Sequence, residues 1–98
     1  VVMSLKGDAG LVEEMLNGLK KSQFAGVGVF VVDDGNKAHL GAYVAKGHTS
    51  EFQAGKLIQA LAPIVGGRGG GKPEMARGAG SEPAKAPELI AEAERLLG

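Results

Sequence analysis

Apolar residues recur along the chain at helical and at strand spacings, which predicts alternating helices and strands. A helix is predicted over residues 9–20, with Asp8 as its N-cap, after a short strand over residues 1–5. The apolar stripe of this helix consists of Val12, Met15, Leu16 and Leu19. Lys20 and Lys21 fall in its last turn, where cations suit the helix dipole, so we expect them to be solvated charges.

Residues 27–32 form a continuous β-branched and aromatic run, which predicts a strand covered on both faces. The polar residues 33–36 predict a turn, and the alternating pattern of residues 38–45 predicts a second strand that completes a hairpin.

Two further helices are predicted in the second half of the chain. Ser50 and Gln53 have the spacing of a capping box for a helix over about 51–65, in which Pro63 should distort or end the last turn. The final helix is predicted over 87–97, with Pro87 as its first residue and an acidic outer face.

Between these helices lies a run in which five of the six residues from 66 to 71 are glycine. Because glycine loses more freedom on folding than other residues, we interpret 66–72 as an ordered loop with at least two glycines at positive φ, or else as a flexible connector. Met75 and Ala76 can begin an edge strand. The predicted fold is α/β (α+β): one domain over residues 1–98, a small mixed sheet with packed helices, in the order β-α-β-β-α-(β)-α.

Composition excludes several classes of function. The 98 residues contain no cysteine, no apolar run long enough to cross a membrane, and two histidines without metal-ligand spacing. The pair Asp33 and Asp34 has the composition of a turn, although a carboxylate pair can also serve a metal or acid–base site. We therefore expect no catalytic residue and no metal or cofactor in this chain. Its start at Val1, inside a predicted strand, suggests a piece of a longer protein.

The formal charge of zero conceals a segregated distribution. Residues 1–36 carry three basic and five acidic groups (−2), residues 37–77 six and two (+4), and residues 78–98 two and four (−2). The basic block contains the glycine run, and unhindered amides beside cations suit phosphate. The candidate nucleic-acid-binding residues are Gly67, Arg68, Gly69, Gly70, Gly71, Lys72, Arg77 and Lys46. If three of the cations each neutralise a phosphate, log affinity should fall against log salt with a slope of roughly −2 to −3.

Known nucleotide-binding loops do not fit the run. Gly66, Gly71 and Lys72 match the first letters of a Walker A loop, but Pro73 stands where that loop needs Ser or Thr. The dinucleotide pattern fails because Glu74 occupies the position of its third glycine.

Residues 65–76, Val-Gly-Gly-Arg-Gly-Gly-Gly-Lys-Pro-Glu-Met-Ala, resemble the glycine segment of the C-terminal (C-Ala) domain of alanyl-tRNA synthetases. The upstream Ala54-Gly55-Lys56-Leu57, the Asp-Gly hairpin and the acidic closing helix are similar too, so the resemblance covers the whole chain. Arg77 departs from it, where the family usually has Gln, as does Ala79, where it usually has Gly.

The resemblance implies a DHH-associated type of domain that is not itself an enzyme. It implies binding to the elbow of tRNA(Ala), which couples aminoacylation with editing in a cytoplasmic alanine–tRNA ligase. ATP, Mg and the editing-site Zn are then expected only in other parts of the parent. The implied partners are tRNA(Ala) and the remaining parent domains, with no membrane, and a dimer would form through an adjacent helical segment.

Two alternatives remain open from the sequence. One is the substrate-binding lobe of a DHH-type phosphodiesterase acting on oligonucleotides or cyclic dinucleotides. The family motif there usually carries a histidine, whereas this chain has Lys72 and Pro73. The other is a protein-interaction or dimerisation module that uses the apolar strand 27–32 as a sheet edge.

Overall fold

The computed structural model describes residues 2–22 and 26–97, and these residues form five strands and three helices. The strands are β1 (Val2–Lys6), β2 (Val27–Asp33), β3 (Ala38–Val44), β4 (Gly67–Gly71) and β5 (Met75–Gly80). The helices are α1 (Ala9–Lys21), α2 (Ala54–Leu61) and α3 (Ala86–Leu97). The predicted α/β class and mixed sheet are confirmed. The predicted start of the first strand at Val1 lies outside the described residues.

The five strands form one mixed sheet in the order β1-β2-β3-β5-β4. β1 runs parallel to β2, and the other three pairings are antiparallel. The β2–β3 hairpin is confirmed, but β2 lies between β1 and β3, so the hypothesis that strand 27–32 forms an exposed edge is wrong. β5 is likewise internal, between β3 and β4, because the glycine run itself supplies the strand at that edge.

Helices cover both faces of this sheet. On one face α1 packs through Val12 and Leu16 against Phe30 and Val32, as its apolar stripe predicts. On the other face α2 and α3 bury the larger core, which includes Val29, Val31, Leu40, Ala42, Val44, Ile58, Leu61 and Leu89. Alternate residues of β2 therefore enter different cores, which confirms that this strand is covered on both faces.

The ends of the helices differ from the predictions in two places. Asp8 is the N-cap of α1, but its side chain makes no capping hydrogen bond. The Ser50–Gln53 capping box is wrong, since α2 begins only at Ala54 and Gln53 makes no side-chain cap. Pro63 does distort the end of the predicted helix, because residues Ala62–Val65 form a 3₁₀ turn. None of the helices in the described residues is long and apolar enough to cross a membrane.

Candidate nucleic-acid interface

The glycine run is a strand rather than a loop. Residues Gly67–Gly71 form β4, which pairs antiparallel with β5 from Gly67 opposite Gly80 to Gly71 opposite Ala76. The interpretation of 66–72 as a loop is therefore wrong. The expectation of at least two glycines at positive φ is met by Gly66 at 71° and Gly71 at 156°, at the two ends of the strand.

Close packing explains the absence of side chains in the middle of the run. A Cβ added to Gly69 would lie 2.5 Å from the Cα of Gly78 and 2.5 Å from the Cγ2 of Ile58 in α2. A Cβ on Gly55 in α2 would lie 2.6 Å from the carbonyl oxygen of Gly71. The glycines therefore let α2 approach the backbone of β4 directly, a requirement that is independent of any ligand.

The turn between β4 and β5 is anchored by hydrogen bonds to two other elements. The N–H groups of Ala54 and Gly55 donate to the carbonyls of Pro73 (2.8 Å) and Lys72 (3.1 Å). Val44, at the end of β3, donates to the carbonyl of Glu74 at 2.8 Å. These bonds satisfy free N–H groups at the start of α2, so they are not available as an anion site. They also hold Lys72 at a fixed position on the protein surface.

Only part of the β4 backbone is left for a ligand. Lys72 N–H donates to the carbonyl of Met75 at 2.9 Å, and bonded and non-bonded pairs alternate along an antiparallel ladder. The backbone groups of Arg68 and Gly70 therefore face β5. Those of Gly67, Gly69 and Gly71 point away from it, although the backbone of Gly71 lies against Gly55 of α2. The expectation that every residue of the run offers an unhindered amide is therefore wrong, because only alternate residues direct their N–H groups away from β5.

Arg68 and Lys72 are the exposed cations of this edge. Within residues 2–22 and 26–97, no carboxylate lies within ion-pairing distance of either side chain. Arg68 is in register with Ala79 of β5, which is in register with His39 of β3, so the three lie in one row on the face that carries α1.

Arg77 belongs to the same sheet face but has a partner that the sequence did not indicate. Its guanidinium forms an ion pair with the carboxylate of Glu13 on α1, and both side chains are 56% exposed. The two residues are 64 positions apart in the chain. Only the placement of α1 across β3 brings them together, so no local signal could have revealed the pair.

Lys46 is the candidate that lies outside β4, β5 and the turn between them. Its backbone lies in the 3₁₀ turn Lys46–His48 that follows β3, at the end of the sheet where the β4–β5 turn also lies. Lys20 and Lys21 are near this end too, because Leu19 reaches the Cβ position of Gly28 at the start of β2. They therefore share this end of the sheet with Lys72, whereas Lys6 ends β1 at the opposite edge of the sheet.

The acidic pair of the β2–β3 turn has a structural role. Asp33 Oδ1 accepts the N–H of Gly35 at 2.7 Å, and Asp34 Oδ1 accepts those of Asn36 (2.8 Å) and Lys37 (2.6 Å). Asp34 Oδ2 also lies 2.7 Å from Nε2 of His39. The hydrogen bond with His39, followed by those from the backbone, lowers the pKa of Asp34 to about 2. No cluster of metal-ligating side chains occurs in the part of the chain that the structure describes.

This architecture, a five-stranded mixed sheet with three helices and a glycine strand at one edge, defines a small α/β domain. The family model of the DHHA1 domain matches residues 1–98, so the chain belongs to the DHHA1 domain family.

Several curated relatives of this chain are alanine–tRNA ligases. The enzyme of Akkermansia muciniphila is 35% identical over 98 residues, covering 99% of this chain and 10% of the ligase. That of Streptococcus sanguinis is 41% identical over 84 residues, covering 86% of the chain and 9% of the ligase. The chain thus spans about a tenth of the length of these relatives.

The crystal structure of the C-Ala domain from Aquifex aeolicus alanyl-tRNA synthetase has the same fold. It superposes with a TM-score of 0.86 at 21% identity, over 98% of this chain and 87% of that one. These comparisons do not favour the phosphodiesterase alternative.

Proposed function

We propose that this chain is the tRNA-binding C-terminal domain of an alanine–tRNA ligase. One observation carries the proposal: Arg68 and Lys72 are exposed and unpaired among the described residues, on a hairpin that α2 and β3 hold in place. The likeness to alanine–tRNA ligases supports tRNA as the class of nucleic acid.

The mechanism is electrostatic contact with the RNA backbone. A guanidinium and an ammonium group four residues apart along one edge can each neutralise a phosphate, and folded RNA is recognised largely through phosphate and 2′-hydroxyl contacts. Stacking on bases contributes little, because the sequence has one tyrosine and no tryptophan, and Tyr43 is partly buried against α1.

For the whole protein, the proposal is a cytoplasmic ligase that joins alanine to tRNA(Ala) with ATP. This chain binds the elbow of the tRNA and so presents one tRNA to the aminoacylation and editing sites. The ATP, Mg and Zn sites lie in other parts of that protein, and a neighbouring helical segment forms its dimer contact.

The test is an electrophoretic titration of the chain with tRNA(Ala) and with an unrelated RNA duplex over a range of salt. We expect tighter binding of the tRNA. With Arg68 and Lys72 as the phosphate contacts, the slope of log affinity against log salt should be about −1.4 to −1.8, at 0.7–0.9 per neutralised phosphate. A third contact, from Lys46 or from Arg77 released by Glu13, would steepen it toward −2.5.

Single-residue variants show which side chains cause the salt dependence of the affinity. Arg68→Ala or Lys72→Ala should lower the affinity and reduce the slope by nearly one, with little effect on folding, since exposed charges contribute less than ~1 kcal/mol. Lys6→Ala, on the opposite edge strand, is the matched control and should bind like the wild type. The proposal fails if Lys6→Ala weakens tRNA binding as much as Arg68→Ala and Lys72→Ala do, or if tRNA and duplex bind equally.

A further inference from the structure

A cleft of about 260 Å³ lies beside the proposed phosphate contacts and has no role in the function described so far. It is on the face of the sheet that carries α1, where the start of this helix meets β3 and β5. Its lining includes Gly10, Val12, Glu13, His39, Arg77 and Gly78. We call it the α1 cleft.

The α1 cleft is small for a ligand pocket. Ligand pockets commonly measure about 300–1,000 Å³, so this volume suits a nucleobase better than a larger ligand. At Gly78 a ligand meets only backbone, because the missing Cβ points to the other face, 2.9 Å from Ile58 Cγ2. Val12 is the apolar side chain at the base of this part of the lining, and it is almost fully buried.

A donor and an acceptor stand side by side in this cleft. The guanidinium of Arg77 only donates hydrogen bonds, and the carboxylate of Glu13 only accepts them. They are ion-paired with each other, yet each side chain is 56% exposed, so further N–H groups and lone pairs remain accessible to a ligand. The pair therefore presents a positive donor next to a negative acceptor.

Guanine is the base that complements this pair. Its O6 and N7 accept hydrogen bonds from arginine, while the neighbouring N1–H and N2–H₂ groups can donate to a carboxylate. Adenine also has an acceptor beside a donor, N7 next to its N6 amino group, but it offers the carboxylate only that one donor group in place of the N1–H and N2–H₂ groups of guanine.

His39 fixes one side of the cleft and connects it to the proposed RNA contacts. Its ring is 17% exposed and is held by Asp34 at 2.7 Å. The row His39–Ala79–Arg68 across the sheet continues from the cleft to the exposed cation on β4. An RNA backbone that contacts Arg68 would thus have its bases within reach of the α1 cleft.

We propose that the α1 cleft binds an unpaired guanine base of the RNA, with Glu13 accepting from N1–H and N2–H₂ and Arg77 donating to O6 or N7. This inference rests on the proposed RNA-binding function and adds base recognition to its phosphate contacts.

The test is an NMR titration of the isotopically labelled chain with GMP, IMP and AMP. The three nucleotides share their ribose phosphate, so differences among them report the base alone. GMP should shift the amide signals of Gly10, Glu13 and Gly78. IMP, which lacks the N2 amino group, and AMP should bind about tenfold more weakly, as expected for loss of a specific base contact. Glu13→Gln should weaken GMP binding by a similar factor, and Lys6→Ala should leave it unchanged.

Two results would overturn this inference. One is equal shifts with GMP and AMP, or shifts confined to residues 68–72 with all three nucleotides, which would indicate phosphate binding alone. The other is a Glu13→Gln variant, folded by its spectrum, that binds GMP like the wild type. Either result leaves the tRNA titration and its salt slope intact, whereas a failure of that titration would count against RNA binding itself.

Discussion

Gly69 and Gly70 are neighbours in β4, and alanine should destabilise the domain at Gly69 but not at Gly70. At Gly69 the new Cβ would lie 2.5 Å from the Cα of Gly78 and 2.6 Å from the carbonyl oxygen of Arg77. These are backbone atoms of the paired strand, which cannot move without breaking the ladder. Overpacking typically costs about 1–3 kcal/mol, and contact with backbone favours the upper end.

At Gly70 the nearest atom to an added Cβ is the Nε2 of Gln59 at 3.5 Å, an ordinary van der Waals distance. Alanine fits there without displacing a neighbour. Because alanine also restricts the unfolded chain, Gly70→Ala should be neutral or stabilise by about 0.4–1 kcal/mol. The two variants should therefore differ by roughly 2–4 kcal/mol in the free energy of unfolding.

Urea denaturation followed by circular dichroism measures this difference. Thermal melts provide a second readout, since 1 kcal/mol shifts the Tm of a domain of this size by about 4–8 °C. Each variant is the control for the other, because composition and strand are the same. Equal denaturation midpoints for Gly69→Ala and Gly70→Ala would refute the claim that close packing against β5 and α2 explains why glycine occupies these positions.

Three other substitutions test single contacts. Gly41→Ala should destabilise by about 1–3 kcal/mol in urea, since its Cβ would lie 2.7 Å from Val12 Cγ1 and push α1 off the sheet. Gly66→Ala should cost about 1–2 kcal/mol in the same assay, because φ there is 71°. Asp34→Asn should melt below the wild type at neutral pH. The pKa of Asp34 is lowered from 3.8 to about 2, so its stabilisation is present above 3.8, and the gap between the melts should close as the pH falls through about 2.

The spacing of hydrophobic residues predicted those helices and strands whose own side chains form the core. The apolar stripe of α1 from Val12 to Leu19 packs against one face of the sheet. The β-branched run of β2 contributes apolar side chains to the cores on both faces. The turn between β2 and β3 was equally predictable, because Asp33 and Asp34 bond to the backbone two or three residues ahead. In each case the information lies within a few residues of the element.

The glycine strand could not be predicted in this way. Glycine has a low strand propensity and no side chain with which to show alternation, so the run looks like a loop. Its strand structure comes from pairing with β5 and packing against α2, contacts that leave no side-chain pattern in a run of glycines. The start of α2 was missed for the same reason, since the carbonyls of Lys72 and Pro73 take the place of the expected Ser50 cap.

The charge count was correct but did not describe the surface. An excess of four positive charges over residues 37–77 treats Arg77 as a free cation, whereas Glu13, from the acidic first third of the chain, pairs with it in space. Because of this ion pair, the candidate residues fall into two groups with different chemistry. Arg68 and Lys72 keep uncompensated charge, which suits phosphate and gives a salt-dependent affinity. The Arg77–Glu13 pair has almost no net charge, but it offers directional hydrogen bonds, which suit the edge of a base. Affinity and base preference should therefore respond to different variants of this domain.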